Sequence, residues 1–313
     1  MLRSLFMPLL GAAMLTAAAQ ASAGSFGDLV DEFRRARAEG RARLAVVVDN
    51  DSLLLTKRDG FYSSGARVTR EYWLQTAGQA TGYGWRIGQE LYTASDIKLP
   101  PASISPQDHP YAGWLYAGAF KASHRADGYR SGFGIDFGCL GPCAGGEWTQ
   151  THLHRLLRQP LPEGWSRQVR NEWGVVLHGD ITPVRWSFGS SFDLAPTLHG
   201  RFGNIFTDAG IGLTLRAGEL NLLPNQSALH GYLRLDADLV GYNATLQGGY
   251  FSKNNPHTVK PKRLVGEAEV GLVWHRGPWG LSASVVRRSN EVDGLPDSFG
   301  AQNYARLLFS YAP

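Results

Sequence analysis

Several stretches of the chain alternate strictly between apolar residues and small or polar ones. Tyr129, Phe133, Ile135 and Phe137 alternate with Arg130, Gly132, Gly134, Asp136 and Gly138. Ala209, Ile211, Leu213, Leu215 and Ala217 alternate with Asp208, Gly210, Gly212, Thr214, Arg216 and Gly218. The same rhythm runs through 83–92, 229–239, 268–274, 279–285 and 305–311. A period of two sends successive side chains to opposite faces, so these segments are predicted strands with one apolar, aromatic face and one face of Gly, Ser, Arg and Asp. Half-buried strands of a soluble sandwich share that period, and the pattern alone does not separate the two cases.

Composition tips the balance toward a membrane. The chain has 38 Gly, 9 Trp, 12 Tyr and 14 Phe, the small lumen residues and aromatic stock that a transmembrane β-barrel uses. Its mean hydropathy of -0.22 is that of a soluble protein, but alternation hides the hydrophobicity of a barrel. Beyond the leader no run of about 18 apolar residues exists, which excludes helical spans. Single-chain bacterial barrels have even strand numbers, and counting segments gives about twelve. The predicted fold is therefore all-β, an antiparallel transmembrane barrel of about twelve strands occupying residues 43–313 as one domain, interrupted by a short active-site helix.

Residues 1–23 have the layout of a signal peptide, with Arg3, an apolar run from Leu9 to Ala19 and a small-residue cleavage pattern at Ala21-Ser22-Ala23. Residues 24–42 form an N-terminal amphipathic segment: Phe26, Leu29, Val30 and Phe33 recur at helical spacing among charges. It either plugs or caps the periplasmic end or is a frayed leader. The formal charge is +4, and in an envelope protein this mild excess points to anionic lipid headgroups rather than nucleic acid. Cys139 and Cys143 flank Leu140-Gly141-Pro142, which in an oxidising compartment reads as a small-loop disulfide stiffening the bend. The alternative is a zinc site with His152 or His154, two histidines that helix geometry holds apart.

That bend, Gly141-Pro142-Cys143-Ala144-Gly145-Gly146, launches the sequence Glu147-Trp148-Thr149-Gln150-Thr151-His152-Leu153-His154. At about 100° per residue Glu147, Gln150 and His154 share one helix face, with Thr149, Leu153, Leu156 and Leu157 on another. His154 is the leading general base, because an imidazole suits proton abstraction from water near neutral pH, and Gln150 one turn earlier can hold substrate or water. Asn50-Asp51 closes the apolar run Leu44 to Asp49 and offers oxygen ligands suited to Ca²⁺, although Asn-Asp is also an ordinary turn pair. Ser63, in Tyr62-Ser63-Ser64-Gly65, can donate a hydrogen bond to substrate; no G-x-S-x-G elbow surrounds it.

Together, Asn50-Asp51, Tyr62-Ser63-Ser64-Gly65, Leu91-Tyr92-Thr93, Asp108-His109-Pro110-Tyr111-Ala112-Gly113, Gly141-Pro142, Gly145-Gly146-Glu147, Gln150, His154 and Gly164-Trp165 resemble the outer-membrane lipid A 3'-O-deacylases. The likeness runs from about residue 43 to the C-terminus and is densest between 50 and 168. It implies a twelve-stranded, monomeric barrel in the bacterial outer membrane that hydrolyses the 3' acyloxyacyl ester of lipid A in lipopolysaccharide. It also implies a Ca²⁺-dependent site between the barrel wall and a short helix. By resemblance His154 is the base, Gln150 the glutamine before it, Asn50 and Asp51 the metal-side pair, and Ser63 stands for the family's threonine. Lys98, matched to a basic residue near the fourth strand, joins Tyr62 and Glu147 in the expected substrate-binding set; Glu147 either orients His154 or caps the helix. The implied mechanism is like that of secreted phospholipases, with a histidine-activated water and a cation-stabilised oxyanion. The chain departs from the family at His109, where arginine is usual, at Pro160, where a relative has an acid, and at its last residues, Phe309-Ser310-Tyr311-Ala312-Pro313. Two other readings stand beside this one, an outer-membrane phospholipase and a non-enzymatic narrow porin.

Overall fold

The computed structural model describes residues 26–54 and 60–313; the signal-peptide reading of residues 1–23 lies outside them. A helix, α1 (Phe26–Glu39), precedes the strands β1 (Arg41–Asn50), β2 (Phe61–Gln75), β3 (Gln79–Thr93), β4 (Ala112–Arg125) and β5 (Arg130–Leu140). A second helix, α2 (Gly146–Leu157), leads to β6 (Glu172–Thr182), β7 (Trp186–Phe188), β8 (Phe192–Gly203) and β9 (Phe206–Glu219). The chain ends with β10 (Ala228–Asn243), β11 (Leu264–Arg276), β12 (Trp279–Arg288) and β13 (Gln302–Tyr311). Every strand except the pair β6 and β7 bonds antiparallel to its sequence neighbour, β1 pairs with β13, and β6 pairs with β8, so the sheet closes. Both β6 and β7 lie against β8, one barrel strand broken at Pro183, which makes the barrel twelve-stranded. Pro196 of β8 sits at that gap, where a missing N–H costs no ladder bond.

Side chains follow the alternation. Leu44, Val48, Ile87, Ile135, Phe137, Leu213, Leu235, Leu272 and Leu307 are exposed on the outer surface, the apolar band of a transmembrane barrel. The lumen is crossed by ion pairs such as Arg86 with Asp136, Arg306 with Asp49 and Glu269, and Arg288 with Glu267. Trp73, Ala80 and Leu223 cluster at one end. Turns are short at that end, as between β2 and β3, and most are long at the other, where 94–111, 141–171, 244–263 and 289–301 connect the strands.

The amphipathic spacing of residues 24–42 does give a helix, but one that ends at Glu39, with β1 already under way at Arg41. It does not plug the lumen. Glu32 accepts from Lys121 Nζ (2.8 Å) and the Tyr83 hydroxyl, and Phe33 meets Tyr72 edge-on. Tyr72, Tyr83 and Lys121 are register partners of Phe133, an exposed outer residue, so α1 lies against the outside of the wall near the short turns. A plug would have to displace the Trp73 and Leu223 side chains already there.

Candidate active site against the outer wall

At the long-loop end, β2 carries a bulge: Tyr62 pairs with Tyr92 and Ser64 with Leu91, which leaves Ser63 unpaired in the ladder. The extra residue changes which way side chains point. Tyr62 faces the lumen, where its hydroxyl donates to Asp49 (3.0 Å), whereas Ser63 is buried on the outer side with its Oγ 2.6 Å from Thr93 Oγ1. The alternation of β1 puts Asn50 on the same outer face, in register with Ser64. Its Oδ1 accepts from the Ser52 N–H (2.8 Å) and the Ser52 hydroxyl, an Asx turn that ends the strand. Asp51, only 4 % exposed, accepts from the Gly60 N–H (3.1 Å). Gly60 in turn sits against the Ala94 and Ser95 carbonyls just beyond Thr93, so Asp51, Ser63 and Thr93 share one corner.

Helix α2 lies over the outer face next to that corner. Gly141 (φ 91°) and Gly145 (φ 69°) take left-handed backbone that other residues avoid, turning the chain back toward the wall. The Cys139–Cys143 disulfide expected from the sequence is formed at this bend, which removes the thiols that a zinc site would need. Gln89, an outward residue of β3, donates to the Ala144 carbonyl (2.6 Å), and Gly146 sits against Leu91 and Trp165. Leu91 and Thr93 are two residues apart on one face of β3, about 7 Å. The strand that holds the Ser63 hydroxyl therefore also seats α2.

The buried stripe of α2 is Gly146, Gln150 and His154. Gln150, 2 % exposed, takes the Trp165 Nε1–H on its Oε1 at 2.9 Å, and Trp165 packs edge-on against Tyr111. His154, 5 % exposed, has Nδ1 2.6 Å from the Pro160 carbonyl oxygen. A carbonyl can only accept, so Nδ1 carries the proton and Nε2 the lone pair, the tautomer a general base requires. Arg158 turns the helix off in left-handed backbone (φ 55°), and the Gln159 N–H returns to the His154 carbonyl (2.8 Å), which brings Pro160 beside the ring.

Glu147 is exposed in the first turn and lies beside the stripe rather than in it, and the capping residue Gly145 makes no side-chain cap bond. Lys98 is exposed one residue past Ile97, whose carbonyl receives the Glu163 N–H (2.9 Å), so it borders the loop that holds Pro160. Tyr62 is not brought to this side of the wall. His152 is exposed on the far side of α2, with Nδ1 2.7 Å from the Trp148 carbonyl. Sequence reasoning missed Thr93 as the partner of Ser63 and Trp165 as the partner of Gln150; both stood in quoted motifs, but their pairings span 30 and 15 residues. It noted Pro160 as a departure from the family pattern, whereas its carbonyl fixes the His154 ring.

Around this stripe Trp148, Leu156 and Leu157 stand exposed, Leu156 at 79 %. A buried polar stripe beneath an apolar helix surface suits a substrate whose reacting group is polar and whose body is hydrocarbon. For a hard cation, the corner offers the Asp51 carboxylate and the Asn50 amide, oxygen donors of the right kind. No group of three His, Cys, Asp or Glu gathers among the described residues, so neutral oxygens would complete any shell.

The solved structure of LpxR from Salmonella typhimurium superposes with a TM-score of 0.73 at 20% identity, covering 87% of this chain and 100% of that one. An outer membrane channel from Pseudomonas putida F1 superposes at 0.51 with 12% identity, covering 88% and 96%. Among curated protein sequences no relative matches. A family model described as outer membrane protein LpxR matches residues 5–312. With that match over almost its entire length and a closed barrel of the same architecture, the chain belongs to the LpxR family of outer membrane proteins.

Proposed function

We propose that this protein is an ester hydrolase that removes the 3' acyloxyacyl chain of lipid A, with His154 as the general base. The observation that carries the reading is the His154 ring: buried on the same face of α2 as Gln150, and held by the Pro160 carbonyl in the tautomer whose Nε2 can take a proton from water. Gln150, fixed by Trp165, and the Ser63 hydroxyl, fixed by Thr93, are positioned to orient water or the acyl group. Lys98 and Glu147, both exposed at the rim, are assigned to the polar headgroup. Tyr62 supports the site from the lumen by holding the bulged strand through Asp49.

Asn50 and Asp51 would hold Ca²⁺, which when bound stabilises negative charge developing on the ester carbonyl oxygen. The helix limits entry of bulk solvent, with Trp148, Leu156 and Leu157 exposed on its surface toward the lipid phase, so that the attacking water is the one beside His154. Nothing in this chemistry calls on a second subunit, and we infer that the protein acts as a monomer. The ion pairs that cross the lumen argue against the porin reading, because they fill the path an ion or solute would take.

The test is lipid A mass spectrometry from cells expressing the protein or its His154→Ala variant. Loss of the 3' chain is expected with the parent and not with the variant, with a rate lower by about 10² to 10⁴. Chelator in a membrane assay should abolish the parent's activity. Continued 3' deacylation by the variant would overturn the assignment, and release of fatty acid from glycerophospholipids alone would favour a phospholipase.

A further inference from the structure

A second polar site stands at the long-loop rim on the opposite wall from α2. In the closed order of strands the β10–β11 pair lies six barrel strands from the β3–β4 wall that seats α2. There the loop 244–263 and the loop 289–301 are stitched by backbone bonds: Lys262 N–H to the Glu291 carbonyl and Asp293 N–H to the Lys260 carbonyl, both 2.8 Å, around the bridge between Pro261 and Val292. Pro261 and Val292 are buried, so Lys260 and Lys262, one to either side of Pro261 in extended backbone, share the other face. With Arg263, Gln247, Leu264 and Asp293 they line a groove of about 570 Å³.

The groove is basic and set at a particular height. It holds three cations against one lining acid, Asp293; Lys262 also pairs with Asp297. Arg263 donates to the Val240 (3.0 Å) and Gly241 (2.7 Å) carbonyls, neutral acceptors that leave its charge uncompensated. Directly below, Leu264 and its register partner Leu239 are exposed outward, the first residues of the apolar band on this wall. The cations therefore stand where phosphate groups of the outer leaflet would meet the barrel, with hydrocarbon running down along Leu239 and Leu264. Such a volume exceeds what a single small anion fills and suits a phosphorylated sugar headgroup.

We infer that this groove binds the phosphorylated headgroup of an outer-leaflet glycolipid, at a site separate from the buried stripe of α2 and independent of any hydrolysis there. It would tether a boundary lipid and orient the barrel in its leaflet. Cations near a lipid headgroup each contribute about a fivefold gain in binding, so losing Lys260 and Arg263 should cost roughly 25-fold.

The probe is a photoreactive, bis-phosphorylated lipid A in detergent micelles with the full-length protein, read by mapping labelled peptides between residues 228 and 276. Labelling there is expected for the parent, to fall about 25-fold in K260Q/R263Q, and to return in K260R/R263K. Retained heat-shifted migration on gels shows that each variant is folded. Equal labelling of parent and K260Q/R263Q, or equal labelling by the same lipid without phosphates, overturns the inference. Full displacement of the lipid by millimolar inorganic phosphate would make the groove a free-anion site and overturn it as well.

Discussion

Replacing Gly146 by alanine tests whether the seating of α2, and not merely its presence, sets activity. A Cβ at this position would stand 2.6 Å from Trp165 Cη2 and 3.0 Å from Leu91 Cδ2, against ordinary carbon contacts of about 3.5–4.0 Å. The shortfall is about 1 Å. Trp165 cannot give way freely, because it is 2 % exposed, bonded through Nε1 to Gln150 and packed on Tyr111. The helix must therefore lift off Leu91 and Trp165, carrying Gln150 and His154 with it. Overpacking of this kind costs about 1–3 kcal/mol, and here it falls on the 141–171 loop and leaves the strand ladder intact. A misplacement of about 1 Å lowers rate by roughly 10²-fold. The assay is hydrolysis of lipid A by purified protein in micelles, beside the gel shift that reports a folded barrel. Gly78→Ala, in a turn where a Cβ meets nothing within 4 Å, serves as the matched control and should keep parental activity. A Gly146→Ala enzyme working within about twofold of the parent would refute the idea that helix placement is this tight.

Trp165→Phe should leave the Gln150 Oε1 buried without its donor, a loss of about 1–3 kcal/mol in local stability, and lower lipid A hydrolysis about tenfold; unchanged turnover would remove Gln150 from the site. His109 gives a pH dependence outside the strands. It is fully buried, stacked on Tyr92, with Nδ1 2.6 Å from the Pro110 carbonyl and Nε2 without a hydrogen-bond partner among the described residues, and burial lowers its pKa from the ordinary 6.5. A lowered histidine pKa means that the opened loop binds the proton more readily. The stability His109 contributes is thus intact above 6.5 and is lost as pH falls from there toward the folded-state value. Amide protection across 94–111, taken relative to the intrinsic exchange rate at each pH, should fall between pH 7 and 5 more in the parent than in His109→Phe, and equal profiles would show that the ring does not govern the loop.

Much of this molecule is legible without coordinates. The period of two at Phe133-Ile135-Phe137 and Ile211-Leu213-Leu215 fixes strands and their two faces, because a pleated backbone has no other way to separate such side chains. Even the lumen could be read in outline, since the positions opposite the apolar set are Gly, Arg and Asp. The glycine-rich bend Gly141 to Gly146 and the spacing of Gln150 and His154 likewise mark a short helix with one polar stripe, a purely local consequence of residue type and pitch. Glu147 shares that face by pitch but is exposed at the start of the helix, and the buried stripe continues through Gly146, a glycine that gives no hydropathy signal.

What tertiary structure decided is where these local pieces meet. A one-residue bulge at Ser63 sends Tyr62 into the lumen and the serine to the lipid side, and no sequence period announces an inserted residue. Whether α1 fills the lumen or leans on the outside depended on Tyr83 and Lys121, residues 51 and 89 positions from Glu32. The amphipathic pattern states only that one face is apolar, not which surface will cover it. The pairing of Pro160 with His154 required the chain to reverse after Arg158, and the basic groove required two distant loops to be stitched edge to edge. Periodicity along a chain records which side of an element is apolar; closure of the barrel determines what each side touches, because contacts across the sheet join residues whose separation carries no local signal.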